Sequence, residues 1–485
     1  MEALQRLHNR GSISTGYDVD NSLKLEADND EHLYVTTMTG GNRRTWTYSI
    51  WFKRTELEFT NVLFHFGVEN YATRMMLDDT DQLWIDICDT GSTLYRSKTN
   101  RLFRDTSAWY HVVLRVDTTQ STEADRMKLY VNGVEETSWI QHQIPTQNLD
   151  TLANTTAGSY DAMGIGTYVW AGGGYDGQFS GYIAQVAHVD GQSYAATEFG
   201  EFDDDTGIWK PKDVSGLTYG TSNNSFLLDF SNSADLGNDS SGNNNDWSLS
   251  NIAAADQATD TPTNNFCTLN PIFVGNYYKA PSEGGTYISM DGTNQHAAYA
   301  GTMGVTQGKW YYETYINSRS ASYGLHIYVG YHTFQGNYHD SAMYDSSNHE
   351  SLVLYFMHTG DYYTWDSGSR THTGDPDGLG TSNVGQFVGV ALNLDDNQIS
   401  YYINGSAISN ASNLALDDLG DEADAGTFAI PALSVYDNNH TVNFGGYTAA
   451  TISSAQTDEN GYGTFEHAPP SGYYSLCTKN LAEYG

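Results

Sequence analysis

One pattern is written twice along this chain, and it constrains the fold more than any other feature. In Tyr110-His111-Val112-Val113-Leu114-Arg115-Val116 the even positions are apolar; an acidic turn follows, then Met127, Leu129 and Val131 share one face and lead to Asn132-Gly133. The second copy places Val388, Val390, Leu392 and Leu394 on one face. Asp395-Asp396-Asn397 turns the chain, and Ile399, Tyr401 and Ile403 lead to Asn404-Gly405. Period-2 alternation marks a strand with one buried face. Asn-Gly suits a type I′ hairpin because both central residues need positive φ. Two similar β domains explain this repetition better than one long domain.

Composition agrees with sheets and turns. The chain has 36 Tyr, 48 Gly and 9 Pro among 485 residues; aromatics suit a pleated, half-buried surface, and Gly and Asn supply left-handed turns. With 39% hydrophobic and 17% charged residues there is enough core material to exclude a disordered chain. Asp and Glu number 59 against 22 Lys and Arg, a formal charge of −37. Such a surface repels phosphate backbones, so no nucleic-acid partner is expected. Cys88, Cys267 and Cys477 are odd in number and far apart, which indicates neither a disulfide framework nor a zinc site. No apolar run has the length of a signal peptide or of a membrane span, so synthesis in the cytoplasm without export is the expectation.

The organisation follows from texture. Residues 1–20 form a polar arm, and strands begin after it, as in Trp46-Thr47-Tyr48-Ser49-Ile50-Trp51-Phe52-Lys53 with its apolar even positions. Residues 196–275 are rich in Asn, Asp, Ser and Thr, with the isolated Trp209 and Trp247 and one apolar cluster, Phe226-Leu227-Leu228. This stretch reads as an ordered connector with one or two short strands, pinned by its tryptophans. The expected divisions are therefore 1–20, 21–195, 196–275 and 276–485.

Four segments, Trp46–Arg54, Trp109–Val113, Leu129–Gly133 and Gly177–Val186, resemble successive strands of a laminin-G-like (concanavalin-A-like) jelly roll, over about residues 20–195. Gly308–Glu313, Val388–Asp395 with Ile399–Gly405, Ile430–Ser434 and Val442–Gly445 resemble a SPRY domain, over about residues 276–477. The resemblance implies an all-β protein: two concanavalin-A-like sandwiches joined by an irregular connector. The connector motifs Thr206–Pro211, Asp239–Asn243 and Asp260–Phe266, and the end Pro470–Thr478, are similar to virion-associated proteins of tailed bacteriophages. What that implies is a non-enzymatic structural protein on the virion surface, a capsid decoration, fibre or tail-associated adhesin. Its partners would be other virion proteins, host-surface glycans and, in that context, copies of itself; the polar arm is the candidate for particle attachment. A free lectin-like carbohydrate-binding module is the alternative, and a polysaccharide-degrading enzyme the third reading.

The sequence offers little catalytic chemistry. Concanavalin-A-like glycosidases pair carboxylates on one strand; Glu201-Phe202-Asp203-Asp204-Asp205-Thr206 begins such a pattern, lacks the final Glu, and reads as a solvated turn. His326 and His332 share a strand face about 20 Å apart at ~3.3 Å per residue, too far to hold one metal, with His339 beyond them. No cofactor is expected, and calcium is the one metal the acidic turns would suit: Asp78, Asp79 and Asp81 in one turn, Asp239 and Asp246 in another. The same residues equally cap local backbone donors. The best binding candidates are loop aromatics, which offer a stacking face and a polar tip at small entropic cost: Tyr168, Trp170 and Tyr175 beside a triple-glycine loop, and Tyr338, Tyr344, Tyr362, Tyr363 and Trp365 between the strands of the second domain.

Overall fold

The computed structural model describes residues 16–68, 71–156, 162–170, 174–220, 223–272, 279–290, 296–318, 326–333, 353–356, 362–366, 369–373, 384–408, 411–415 and 428–485. Almost all regular structure is strand; the α-helix among the described residues is Thr478–Tyr484. The chain separates into two compact units that meet between Thr263 and Asn264. The stretch 196–275 is thus divided between them, most of it within the first unit.

The first unit is a sandwich of two eight-stranded sheets. One runs in the order Val134–Glu135, Met127–Val131, Tyr110–Asp117, Thr45–Arg54, Gly181–Asp190, Ser22–Leu25, Gln257–Ala258, with Phe226–Leu228 also pairing to Gly181–Asp190. The other runs Trp139–His142, Leu94–Leu102, Gln82–Cys88, Tyr71–Leu77, Asn61–Val68, Met163–Ile165, His32–Val35, Ser248–Ser250. Between them lies a core that includes Trp46, Tyr48, Ile50, Phe52, Phe64, Phe66, Ile85 and Leu114. The alternation expected for residues 46–52 is what places Trp46, Tyr48, Ile50 and Phe52 inside.

The opposite face of that strand is also buried, because Trp209 and Asp260 from the stretch 196–263 lie against it. Trp51 stacks on His111 at 4.4 Å, and the Trp209 ring lies near-parallel to the same imidazole with centroids 6.0 Å apart. Trp209 Nε1 donates to His111 Nδ1 at 2.9 Å. Indole nitrogen can only donate, so His111 carries its proton on Nε2, which donates to Ser49 Oγ at 2.8 Å. Burial pushes this imidazole down to about 3, so it stays neutral. Gly133 of the Asn-Gly turn lies under Trp209: a Cβ there would sit 2.3 Å from the indole. Nearby, Asp260 accepts from Lys53 Nζ at 2.8 Å and Trp109 Nε1 at 2.9 Å, all three buried. A charge pair buried this deeply costs about 3–5 kcal/mol when one partner is removed, so it clamps the overlying segment in place. The segment carries five short strands, Gly200–Phe202, Trp209–Pro211, Phe226–Leu228, Ser248–Ser250 and Gln257–Ala258, more than the one or two expected. Trp247 is buried against Phe226 at 4.9 Å.

The second unit is also built on two sheets. Tyr287–Ser289, Asn439–Asn443, Lys309–Ile316, Phe387–Asn393, Gln398–Ile403 and Ser406–Ala407 form one, joined by Leu414–Ala415 and by Tyr474–Ser475, which pairs in parallel with Lys309–Ile316. His296–Ala300, Ala429–Tyr436, His326–Thr333, Val353–Phe356, Tyr362–Asp366 and Ser369–Thr373 form the other. The repeated turn is built alike in both units. Asn132 and Gly133 have φ of 47° and 77°, Asn404 and Gly405 46° and 75°. Each Asn side chain accepts a backbone N–H from the neighbouring strand, His111 N at 2.8 Å and Phe387 N at 3.0 Å. The sequence repeat is therefore a repeat of hydrogen bonding as well as of pattern.

Trp310, Tyr312 and Ile316 face this unit's core, and Glu313 points the other way, under the chain's C-terminal stretch. Its carboxyl accepts the N–H of Glu466 and of His467, each at 2.9 Å, together with the Tyr311 hydroxyl at 3.2 Å and Asn443 Nδ2 at 3.4 Å. Burial pushes this carboxyl up to about 7, against those four donors. The folded state therefore holds a proton that the unfolded chain, with its ordinary value of 4.5, releases earlier. We expect stability of this unit to be greatest below pH 4.5, as far as this group is concerned, and to fall by up to about 3 kcal/mol as pH rises to 7. Glu313→Gln should flatten that slope while lowering stability, since its amide would face two donors. Denaturant titrations of both chains across pH 4–8 check this, and an unchanged slope in the variant refutes it.

Candidate functional site

With one outer face of the first unit covered, the outer face of its other sheet is where a site can be built. Strand register draws six distant residues into one line across it. Tyr34 pairs with Gly164, Gly164 with His65, His65 with Arg74, Arg74 with Asp86, and Asp86 with Arg96. A second line beside it joins Val62, Met76, Trp84 and Lys98. These positions alternate with core residues: Leu83, Ile85 and Ile87 point inward, Trp84 and Asp86 outward.

Asp86 is the centre of the line. Its side chain has no solvent exposure and takes four donors on two oxygens. Oδ1 accepts from Trp84 Nε1 at 2.9 Å and Arg96 Nε at 2.8 Å; Oδ2 accepts from Arg74 Nε at 2.9 Å and Arg96 Nη2 at 3.2 Å. The Arg96 guanidinium lies 4.2 Å over the Trp84 ring, with Lys98 Nζ at 5.6 Å from the same ring. Cation–π contact and the bidentate carboxylate together fix the guanidinium plane.

A short hairpin, Tyr168–Val169 with Tyr175–Asp176, lies over this face. It comes so close because Gly164 beneath it has no side chain: a Cβ there would sit 2.7 Å from Thr167 O. Tyr168, half-buried, sits over Arg74 at 5.1 Å and edge-on to His65 at 5.7 Å, and its hydroxyl donates to the sulfur of Met76. Burial raises the Tyr168 phenol above its ordinary value, with Arg74 opposing. Tyr175 packs instead on His32 at 4.3 Å and Tyr34 at 5.2 Å. Trp170 N closes the turn on Gly174 O at 2.8 Å.

Of the residues expected from sequence, Tyr168 and Tyr175 meet this face, and Trp170 stands at the hairpin tip. Tyr362, Tyr363 and Trp365, read as loop residues, lie in the strand Tyr362–Asp366, which pairs on both sides. Closely spaced aromatics favour a strand as readily as a loop. Tyr338, Tyr344 and His339 fall outside the described residues. His326 and His332 lie on the strand His326–Thr333. Sequence reasoning missed Arg74, Trp84, Asp86, Arg96 and Lys98. Their one signal is a polar residue at the outward positions of alternating strands.

The acidic turns use their oxygens on protein donors. Asp78 accepts from Thr80 and Gln82 and pairs with Lys98; burial alone would raise it, but these donors hold it below its ordinary value. Asp81 binds Arg54, Arg104 and the Glu58 N–H, while Asp79 is exposed. Asp239 accepts from Leu227, Ser241 and Asn245, and Asp246 from Asp239 N. Among the described residues no three His, Cys, Asp or Glu are grouped to hold a metal ion. Asp203 accepts from Thr206 in the turn that connects Gly200–Phe202 to Trp209–Pro211. The three cysteines are buried, and no described helix is long and apolar enough to cross a membrane.

Residues 27–192 match the family described as the concanavalin A-like lectin/glucanases superfamily, Laminin_G_3. These residues of the first sandwich are similar to a laminin-G-like jelly roll. Among solved structures the chain is similar to domains LG4-5 of the mouse laminin alpha1 chain, with 11% identity and TM-score 0.29 over 95% of this chain and 88% of that one. It is similar to the SPRY domain of human HERC1, with 18% identity and TM-score 0.24 over 33% and 89%. It is also similar to the CBM40 of a Ruminococcus gnavus IT-sialidase, bound to α2,3-sialyllactose, with 16% identity and TM-score 0.23 over 32% and 86%. No curated protein matches it.

The buried junction at Asp86 has a measurable consequence. Asp86→Asn removes the charge that two guanidiniums share, and should destabilise the first unit by about 3–5 kcal/mol. Urea denaturation measures it, and a loss below 1 kcal/mol would show that the junction is held by its surroundings.

Proposed function

We propose that this protein is a non-enzymatic adhesion component of a virion surface, and that the outer face around Tyr168, Arg74 and Arg96 binds a saccharide. The observation that carries the saccharide reading is that face itself: a half-buried aromatic beside polar groups held in fixed geometry, on a concanavalin-A-like lectin/glucanase fold. Rigid aromatics with few fixed donors are what a sugar ring requires for stacking and orientation. The non-enzymatic reading is supported by the line of residues across the face. A glycosidase places two carboxylates on either side of the scissile bond; this line holds one, and two arginines neutralise it. The virion setting, the surface location and assembly with other virion proteins are supported by the motifs of the connector and C-terminus.

A glycan array probed with the full chain should show binding to a restricted set of saccharides, and Tyr168→Ala should weaken that binding at least about tenfold. Antibody labelling of purified particles should place the chain on their exterior. Absence of binding across a broad array, or full binding by the Tyr168→Ala variant, defeats the saccharide reading; unlabelled particles defeat the virion reading.

A further inference from the structure

We propose that the ligand of this face is an acidic saccharide, one whose ring carries a carboxylate or sulfate, and that Arg74 and Arg96 receive that group; this rests on the saccharide reading above. Two guanidiniums share one carboxylate, and all four acceptor positions used on Asp86 are taken by Trp84, Arg74 and Arg96. One buried carboxylate therefore serves both guanidiniums and cannot use all their donors. Lys98 is matched separately by Asp78. Asp176, exposed on the hairpin, keeps its negative charge near Tyr168, but it accepts the N–H of its neighbour Gly177 at 2.8 Å and forms no ion pair with either arginine.

The unspent donors are at the right atoms. Arg74 engages Asp86 through Nε, and Arg96 through Nε and Nη2. Neither Nη of Arg74, nor Nη1 of Arg96, donates to a described residue, and none of the three is sealed from solvent. The Arg74 side chain is only 10% exposed and Arg96 31% exposed. A cation so far removed from water gains more from an added oxyanion than a surface lysine would, because the interaction is less screened. A guanidinium edge also matches the paired oxygens of a carboxylate or sulfate in two parallel hydrogen bonds. Asp86 and Trp84 hold the two forks before any ligand arrives, and Tyr168 over Arg74 offers a ring face alongside.

The test compares matched pairs of oligosaccharides on the full chain by calorimetry: a uronate oligomer against its carboxyl-reduced form, and a sulfated oligomer against its desulfated form. The acidic member of at least one pair should bind about tenfold to a hundredfold more tightly in low salt, and the ratio should shrink as salt is raised. Arg74→Gln should bring the ratio toward one. Arg74→Lys keeps the charge without the fork and should retain part of it, which separates recognition from misfolding. Equal binding within both pairs, with binding lost in Tyr168→Ala, overturns the acidic ligand and leaves the saccharide reading standing. No binding to any member removes both. Inorganic sulfate or an acidic peptide binding as tightly as the acidic sugar overturns the saccharide part.

Discussion

The buried pair Lys53–Asp260, with the Trp51–His111–Trp209 stack beside it, decides which surfaces of the first unit exist. A two-sheet sandwich has two outer faces, each a place for a ligand. Residues 196–263 close one of them with aromatic contacts and a buried ion pair, and also add two strands to the covered sheet and one to the other. The other face is left to the hairpin around Tyr168. The location of the candidate site is thus a consequence of packing far from it, on the opposite side of the core.

Much of the fold was legible, for local reasons. Alternation in residues 46–52 and 110–116 is a property of neighbours, and so is the demand of Asn-Gly for positive φ, which the two turns meet almost identically. The role of Trp209 was partly legible, since an indole isolated in polar sequence has to find a partner. That its partner is a histidine, in one tautomer, depends on residues 98 positions away. The aromatics at 362–365 show the limit of texture: the same residues suit a loop or a strand, and pairing on both sides decided it.

The site was legible only at its edge. Tyr168 and Tyr175 stand out as aromatics near glycine, but Arg74, Asp86 and Arg96 are ordinary polar residues in three separate strands. Each alone says no more than that one side of its strand faces outward. Register makes them a unit, and it depends on pairings between strands, with shifts between Val62 and Phe64 and between Gln82 and Trp84, that no single segment encodes. Glu313 is similar. Its strand is readable from Trp310 and Tyr312, whereas its burial comes from Glu466 and His467, more than 150 residues later.

The similarity to the lectin/glucanase superfamily ends at residue 192, yet the first unit runs on to Thr263. Beyond that limit lie Trp209, Trp247, Asp260 and three strands of the two sheets. A chain cut there would lay bare Trp51, His111 and Trp109 and strand Lys53 without its counter-charge in an apolar setting. The part of this protein that can be inherited, exchanged or grafted as a piece is therefore longer than the recognisable jelly roll by about 70 residues. The polar sequence after it, which reads as a link between domains, serves as the outer wall of the first.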